Sequence, residues 1–145
     1  HTIGRRQRQM CIRDSINSNV LEQRQTFFVH GGVDAEDREK VREITELENN
    51  AIIVASYGTF STGINIKNLH NIIFASPSKS RIRNLQSIGR VLRKGNNKTK
   101  ATLYDIADDT TYKTRRNYTL NHLIERLKIY NYEKFNYDLI NISFK

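Results

Sequence analysis

This chain of 145 residues contains one cysteine, one proline, one methionine and no tryptophan. A lone cysteine cannot close an intramolecular disulfide or build a cysteine-ligated zinc site, so a disulfide scaffold and a zinc ribbon are both excluded. No apolar run approaches the roughly 20 residues that a membrane-crossing helix needs. Internal repeats and low-complexity segments are also lacking. Acidic residues are in short supply: 15 Asp and Glu face 24 Lys and Arg, leaving a net charge of +9. That balance favours polyanionic partners without giving any sequence specificity.

The N-terminal residues 1–15 stand apart. Arg5-Arg-Gln-Arg-Gln-Met-Cys-Ile-Arg-Asp-Ser15 resembles the in-frame translation of a transposase adapter used in DNA sequencing libraries. Segments of that origin are set aside before fold reasoning, and this one would explain a chain that begins without Met. Composition alone equally permits a basic arm for nucleic acid. On the adapter reading, four arginines against one aspartate remove three charges, so the remainder carries +6 and neither thiol nor methionine. About 130 residues are then left, enough for one domain with a real core. The lack of thiols fits a reducing compartment, so a cytoplasmic location is expected, in the host cytoplasm if the chain is phage-encoded. Abundant Asn, Ile and Lys hint at an AT-rich genome.

Four short apolar runs read as strands: Thr26-Phe-Phe-Val29, Ala51-Ile-Ile-Val-Ala55, Asn71-Ile-Ile-Phe-Ala75 and Ala101-Thr-Leu-Tyr-Asp-Ile106. Without strict alternation, they suit strands covered on both faces, as in a parallel sheet. Helical segments separate most of them. Asp34-Ala-Glu-Asp37 offers an acidic first turn, after which Val41, Ile44 and Leu47 recur at helical spacing. Ser80 can cap the next helix, with Pro77 just upstream. Ile16 to Gln25 reads as the end of a helix whose preceding strand is lost. The expected architecture is α/β: an open, mainly parallel sheet flanked by helices over residues 16–110. Residues 111–145 form a short helical C-terminal extension, with Leu120, Leu123, Ile124, Leu127 and Tyr130 on one helix. Its aromatic-rich tail, Tyr132 to Phe144, is expected to pack on the sheet, base stacking being the sharper alternative.

Chemistry concentrates in two places. In Gln86-Ser-Ile-Gly-Arg-Val-Leu-Arg93, the residues Gln86, Arg90 and Arg93 stand at i, i+4 and i+7 and share one helical stripe. Ile82, Leu85, Gly89 and Leu92 form the neighbouring stripe, which reads as the buried one. Planar, permanently charged guanidinium groups suit bidentate contact with phosphate oxygens. An amphipathic surface helix with solvated arginines is the plain alternative. The second place is the loop Ser56-Tyr-Gly-Thr-Phe-Ser-Thr-Gly-Ile-Asn65, which opens directly after a strand. It is rich in hydroxyls, and Gly58 and Gly63 allow close backbone approach to a phosphate. Alone, it is an ordinary strand-to-helix connection.

Order makes these segments more telling. An apolar strand, Ser-x6-Gly-Ile-Asn, a second apolar strand and Gln-x-x-Gly-Arg-x-x-Arg resemble motifs V and VI of superfamily 2 helicases. Val29-His-Gly-Gly-Val-Asp34 with Arg38 resembles the same family's preceding strand, loop and helix, so the likeness covers nearly all of Thr26 to Asp109. Within the superfamily the chain is most similar to phage recombination helicases, which share Ile-Ile-Val-Ala-Ser-Tyr-Gly and Ile-Gly-Arg-Val-Leu-Arg-Lys runs. Glu133-Lys-Phe-Asn-Tyr137 is similar as well, so the chain is expected to end where the native protein ends.

The resemblance implies a RecA-like second motor domain of an ATP-dependent DNA helicase acting on branched or recombination DNA. It implies Arg90 and Arg93 as arginine fingers at the γ-phosphate, with Gln86 hydrogen-bonding nearby or linking the motor domains. Gly63 and Asn65 would lie near the nucleotide, although many relatives carry Asp where Asn65 stands. Ser56 and Gly58 would meet the nucleic-acid backbone; Lys79 would touch DNA or solvate the start of its helix. A Gly-x4-Gly-Lys-Ser/Thr loop and an Asp-Glu magnesium motif are lacking. ATP, with Mg2+, would therefore be held mainly by a partner N-terminal RecA-like domain, and this chain alone should be inactive. A double-strand translocase or restriction-type motor shares the same motifs, and a non-hydrolytic nucleic-acid-binding module is the alternative of another class.

Smaller signals weigh less. Gly95-Asn-Asn-Lys-Thr99 lacks phosphate-loop spacing and reads as a basic turn. His30, His70 and His122 lack zinc-ligand spacing. Asp108-Asp109 reads as a helix-capping turn rather than a magnesium site.

Overall fold

In the computed structural model the described residues are 5–19, 24–59, 66–75, 80, 85–86, 88–89, 100–111, 113 and 116–143, with side chains from Met10 onward. The chain divides into two units, His1–Ile72 with Gln86–Thr102, and Ile73–Leu85 with Leu103–Lys145.

Among the described residues, the first unit contains two whole strands and two whole helices. Helix α1 (Arg5–Asn19) runs through the adapter-like residues into Ile16–Asn19. Arginine and glutamine are good helix formers, so local propensity favours it. It packs against β1 (Thr26–Val29) and β2 (Ile52–Ala55). There the Arg13 guanidinium lies 5.7 Å from the centroid of the Phe28 ring, a cation–π contact. β1 and β2 are parallel, in the register Thr26↔Ile52 through Val29↔Ala55. Every residue of β2 is at least partly buried, as expected for a strand covered on both faces.

Helix α2 (Ala35–Leu47) starts where the sequence signals it. The Asp34 carboxylate accepts a hydrogen bond of 2.9 Å from the Asp37 amide, and Glu36 and Asp37 complement the helix dipole. Its outer face carries short-range ion pairs, Arg42 with Glu39 and Glu46, and Lys40 with Glu36. Of the apolar residues at helical spacing, Val41 joins the core, whereas Ile44 and Leu47 are exposed. Thr45 is buried in their stead, its hydroxyl donating to the Val41 carbonyl. That bond satisfies the hydroxyl inside the helix, so the polar side chain can face inward without an orphaned group. The core centres on Val29 and Ile66, with Val33, Val41, Ile53, Ala55 and Leu69 around them. Two bonds hold the end of α2 to the segment before the third strand: the Lys67 amide donates to Glu46, and Asn68 to the Glu48 carbonyl.

Strands β3 (Asn71–Phe74) and β4 (Thr102–Asp105) form the other described pair. The Thr102 amide donates to the His70 carbonyl at 2.9 Å and the Ile106 amide to the Phe74 carbonyl at 3.2 Å. Both strands advance together between these bonds, as parallel pairing requires. In β3, Phe74 is buried while Asn71 and Ile73 are exposed, a period-two pattern rather than the fully covered strand expected. Among the described residues, therefore, every position of the first pair of strands is at least partly buried, whereas β3 exposes Asn71 and Ile73 and β4 exposes Tyr104.

The C-terminal helix α3 (Tyr118–Tyr132) contains the expected Leu120, Leu123, Ile124 and Leu127, all partly buried, together with buried Arg126, Ile129 and Tyr130. It ends in a Schellman motif. The Phe135 amide bonds the Tyr130 carbonyl, the Lys134 amide bonds the Asn131 carbonyl, and Lys134 takes a left-handed φ of 57°. The tail folds back so that the Phe135 and Tyr137 rings lie 6.3 and 6.1 Å from that of Tyr130. Beyond it, Leu139, Ile140 and Ile142 are exposed.

Candidate functional site

Because β1 and β2 are parallel and in register, the segments leaving them emerge at one edge of the pair. At this edge the Ser56 amide donates to the Val29 carbonyl at 3.4 Å. After β1, the chain turns through His30–Val33, with the Val33 amide bonded to the His30 carbonyl at 3.0 Å. His30 Nδ1 accepts from the Gly32 amide at 3.0 Å, which puts the proton of the neutral imidazole on Nε2. A Cβ at Gly32 would stand 3.0 Å from this ring, so the turn is tight there. Arg38 closes the loop, giving Nε and Nη2 to the Val33 carbonyl at 2.8 and 2.6 Å. The Arg38 of the sequence motif thus holds its own loop in place.

After β2, Ser56 opens a helical turn over residues 57–59. Its hydroxyl accepts from the Thr59 amide at 3.3 Å and shares a 2.7 Å bond with the Thr59 hydroxyl. That is N-cap geometry, and Thr59 is buried beneath it. Gly58 is exposed, and a Cβ there would meet no atom within 4 Å.

Leu85, Gln86, Ile88 and Gly89 are helical, and Gln86 is exposed. The buried stripe differs from expectation: Ile88 is buried and Gly89 is exposed. At about 100° per residue Ile88 stands about 160° from Gln86, on the opposite side of the helix, whereas Gly89 stands about 60° from it, at the border of the Gln86 row. A Cβ at Gly89 would meet nothing within 4 Å. Arg90, Arg93, Gly63, Asn65 and Lys79 lie outside the described residues.

The lesser candidates resolve into local structure. Asp109 accepts from the amide and hydroxyl of Thr111, holding a turn of its own rather than capping a helix. Those two bonds hold its carboxyl below the usual carboxylate range. The residue preceding α3 is Asn117, whose side chain donates to the Asp108 carbonyl instead of capping. His70 bonds Asn68, and the His122 ring lies 4.0 Å from that of Tyr118, tilted by 58°. Among the described residues, no three His, Cys, Asp or Glu side chains gather closely enough to hold a metal ion.

Sequence reasoning missed a buried cluster. Arg126 on α3 donates Nε and Nη2 to the two carboxylate oxygens of Asp105 at 2.7 and 2.8 Å, and Tyr130 donates its hydroxyl to the same carboxylate at 2.8 Å. Arg126 is fully buried. The available signal was Asp105 itself, an acidic residue closing an apolar strand, which burial obliges to find a partner.

Comparison with known proteins places these elements. Over 127 residues the chain is 44% identical to the ATP-dependent DNA helicase uvsW of Enterobacteria phage T4, an alignment covering 81% of this chain and 25% of that protein. It therefore spans about a quarter of that relative's length. The crystal structure of the C-terminal part of the Fun30 ATPase domain superposes with a TM-score of 0.56 at 13% identity, covering 85% of this chain and 43% of that one. That likeness bears on the fold: an α/β domain of RecA type, with parallel strands flanked by helices. Residues 5–95 match the helicase conserved C-terminal domain model, more than half of the chain, and with that match the chain belongs to the helicase conserved C-terminal domain family.

Proposed function

We propose that this chain is the C-terminal motor half of an ATP-dependent DNA helicase acting on branched or recombination DNA. The observation that carries the reading is the 44% identity over 127 residues to a phage ATP-dependent DNA helicase. The geometry supports it. The His30–Val33 loop and Ser56 share the carboxyl edge of a parallel pair, where open α/β sheets collect their ligands. Gly58 and Gly89 are exposed, as is Gln86, and a Cβ at either glycine would meet nothing within 4 Å.

In this reading Arg90 and Arg93 stabilise charge developing on the γ-phosphate, and Gln86 hydrogen-bonds beside it or links the motor domains. Gly63 and Asn65 lie near the nucleotide, while Ser56, Gly58 and Lys79 meet the nucleic-acid backbone. A preceding RecA-like domain supplies the phosphate loop and the acidic residues that hold Mg2+. Closing of the two domains on ATP, and their release after hydrolysis, moves the protein along the strand.

The test begins with the uninterrupted genomic reading frame, which should encode Gly-x4-Gly-Lys-Ser/Thr and Asp-Glu upstream. The full-length product should show DNA-stimulated ATP hydrolysis and displace a labelled strand from a forked substrate. The isolated chain should hydrolyse ATP negligibly and bind DNA weakly and salt-sensitively. Robust hydrolysis by this chain alone, or a frame with no phosphate loop, would sink the proposal. Translocation on duplex without strand separation would move it to a double-strand translocase.

A further inference from the structure

We infer that the outer edge of β2 is a strand-docking surface, and that its occupant is an apolar strand of this protein's own chain, entering parallel to β2 from the segment before α1. Backbone geometry and packing define this surface, with no DNA contact involved.

β2 uses one of its two edges. It pairs with β1 alone, in a two-stranded sheet. The amides of Ile52 and Ser56 donate to the carbonyls of Gln25 and Val29, so the polar backbone groups of Ile52, Val54 and Ser56 face β1. Alternation turns those of Ile53 and Ala55 to the opposite edge, where no strand lies among the described residues. Strands that end a sheet usually carry charge or proline against unwanted pairing. β2 is Ile-Ile-Val-Ala, with neither, and all four residues are partly buried. It has the composition of an inner strand.

The two helices of this unit lie on opposite faces of the pair. Residues paired across parallel strands share a face, so Val29, Ile53 and Ala55 lie on one side and Phe28 and Val54 on the other. Val41 of α2 packs in the core with the first set, whereas Arg13 of α1 lies over the Phe28 ring. A sheet flanked in this way asks for a further strand that is apolar on both faces.

Handedness says where that strand goes. Parallel strands joined through a helix are connected in the right-handed sense in nearly all cases. β1 leads to β2 through α2 on the first face. A strand leading to β1 through α1, on the opposite face, therefore lies on the β2 side of β1. β2 already stands next to β1, so the position that remains is the outer edge of β2. The packing of α1 agrees, since it touches β2 as well as β1, as a helix crossing over β2 does. This helix continues past the adapter-like residues through Ile16–Asn19.

The experiment is amide hydrogen exchange, resolved by residue with NMR, on this chain and on the product of the uninterrupted genomic reading frame. In the longer protein Ile53 and Ala55 should exchange as slowly as Ile52 and Val54. In this chain they should exchange roughly 100-fold faster or more, while β1 still protects Ile52 and Val54. The Phe28 amide, which faces the outer edge of β1, should be fast in both. Fast exchange at Ile53 and Ala55 in the longer protein overturns the inference. So does protection at Phe28 in their place, which would put the strand beyond β1. Protection in this chain that grows with its concentration would give the edge to a second copy, and equally overturns it. Should this chain not stay folded alone, Ala55→Pro in the longer protein serves instead, because it removes one amide facing the docking edge. Its Tm should fall by about 5 °C or more, and an unchanged Tm refutes the inference. ATP hydrolysis enters none of these readouts, so the helicase reading stands or falls separately.

Discussion

Arg126 and Asp105 form a two-pronged ion pair, Nε to Oδ2 at 2.7 Å and Nη2 to Oδ1 at 2.8 Å, with the arginine fully buried. The third guanidinium nitrogen, Nη1, has no hydrogen-bond partner among the described residues. One helix is thereby joined to one strand across 21 positions of sequence.

Breaking the pair from either side should destabilise strongly. Arg126→Ala leaves a carboxylate without its counter-charge and should cost about 3–5 kcal/mol of unfolding free energy. Urea titration monitored by circular dichroism measures it, and a loss below 1 kcal/mol would show that water reaches Asp105 freely.

Alkaline pH should act through Tyr130. Burial, then the Asp105 charge and the hydrogen bond to it, push the phenol well above its ordinary value. A group whose folded pKa is raised contributes stability in full below its unfolded value, about 10 for tyrosine, and loses it as pH climbs beyond. The wild type should therefore lose stability between about pH 10 and 11 more steeply than Tyr130→Phe. Parallel urea midpoints for the two proteins across that range would contradict the assignment.

Lys134 occupies the left-handed position at the end of α3, where glycine is the usual residue. An L side chain there costs roughly 1–2 kcal/mol, part of which glycine gives back through its freer unfolded state. Lys134→Gly should raise stability by about 0.5–1 kcal/mol, and Lys134→Val should lower it. Thermal unfolding of the two variants checks the sign.

Asp34 caps α2 through its 2.9 Å bond from the Asp37 amide. Asp34→Ala should cost about 1 kcal/mol, while Asp34→Ser should cost much less. Equal losses in chemical denaturation would mean that the carboxylate acts through charge rather than capping.

For the proposed motor, Arg93→Ala in the full-length protein should leave ATP binding largely intact. Hydrolysis should fall by roughly 10³-fold or more, as for other arginine fingers. Nucleotide titration and steady-state ATPase measurement separate the two effects, and an unchanged kcat refutes the role of Arg93.

Much of the fold was legible because its signals are local. β-branched and aromatic runs marked all four described strands, Asp34 with its acidic turn marked the start of α2, and leucine spacing marked α3. The burial of individual residues was less legible. Ile44 and Leu47 fit a helical stripe yet face solvent, while Thr45 turns inward because its hydroxyl bonds the preceding turn. Ile88 rather than Gly89 fills the inner face of the Gln86 helix, a distinction that periodicity blurs at the border of a stripe.

For the site, sequence order alone determined the family reading: a hydroxyl-rich loop after one strand and an arginine helix after the next, a linear pattern that needs no coordinates. Tertiary structure decided what lies between distant positions. It placed the His30 turn beside Ser56 at one edge, turned Arg38 onto its own loop, and brought Arg126 and Tyr130 to Asp105. A helical or strand period reports which face a residue takes along its own element. Which counter-charge a buried carboxylate meets depends on another element's approach, and only the folded chain fixes that.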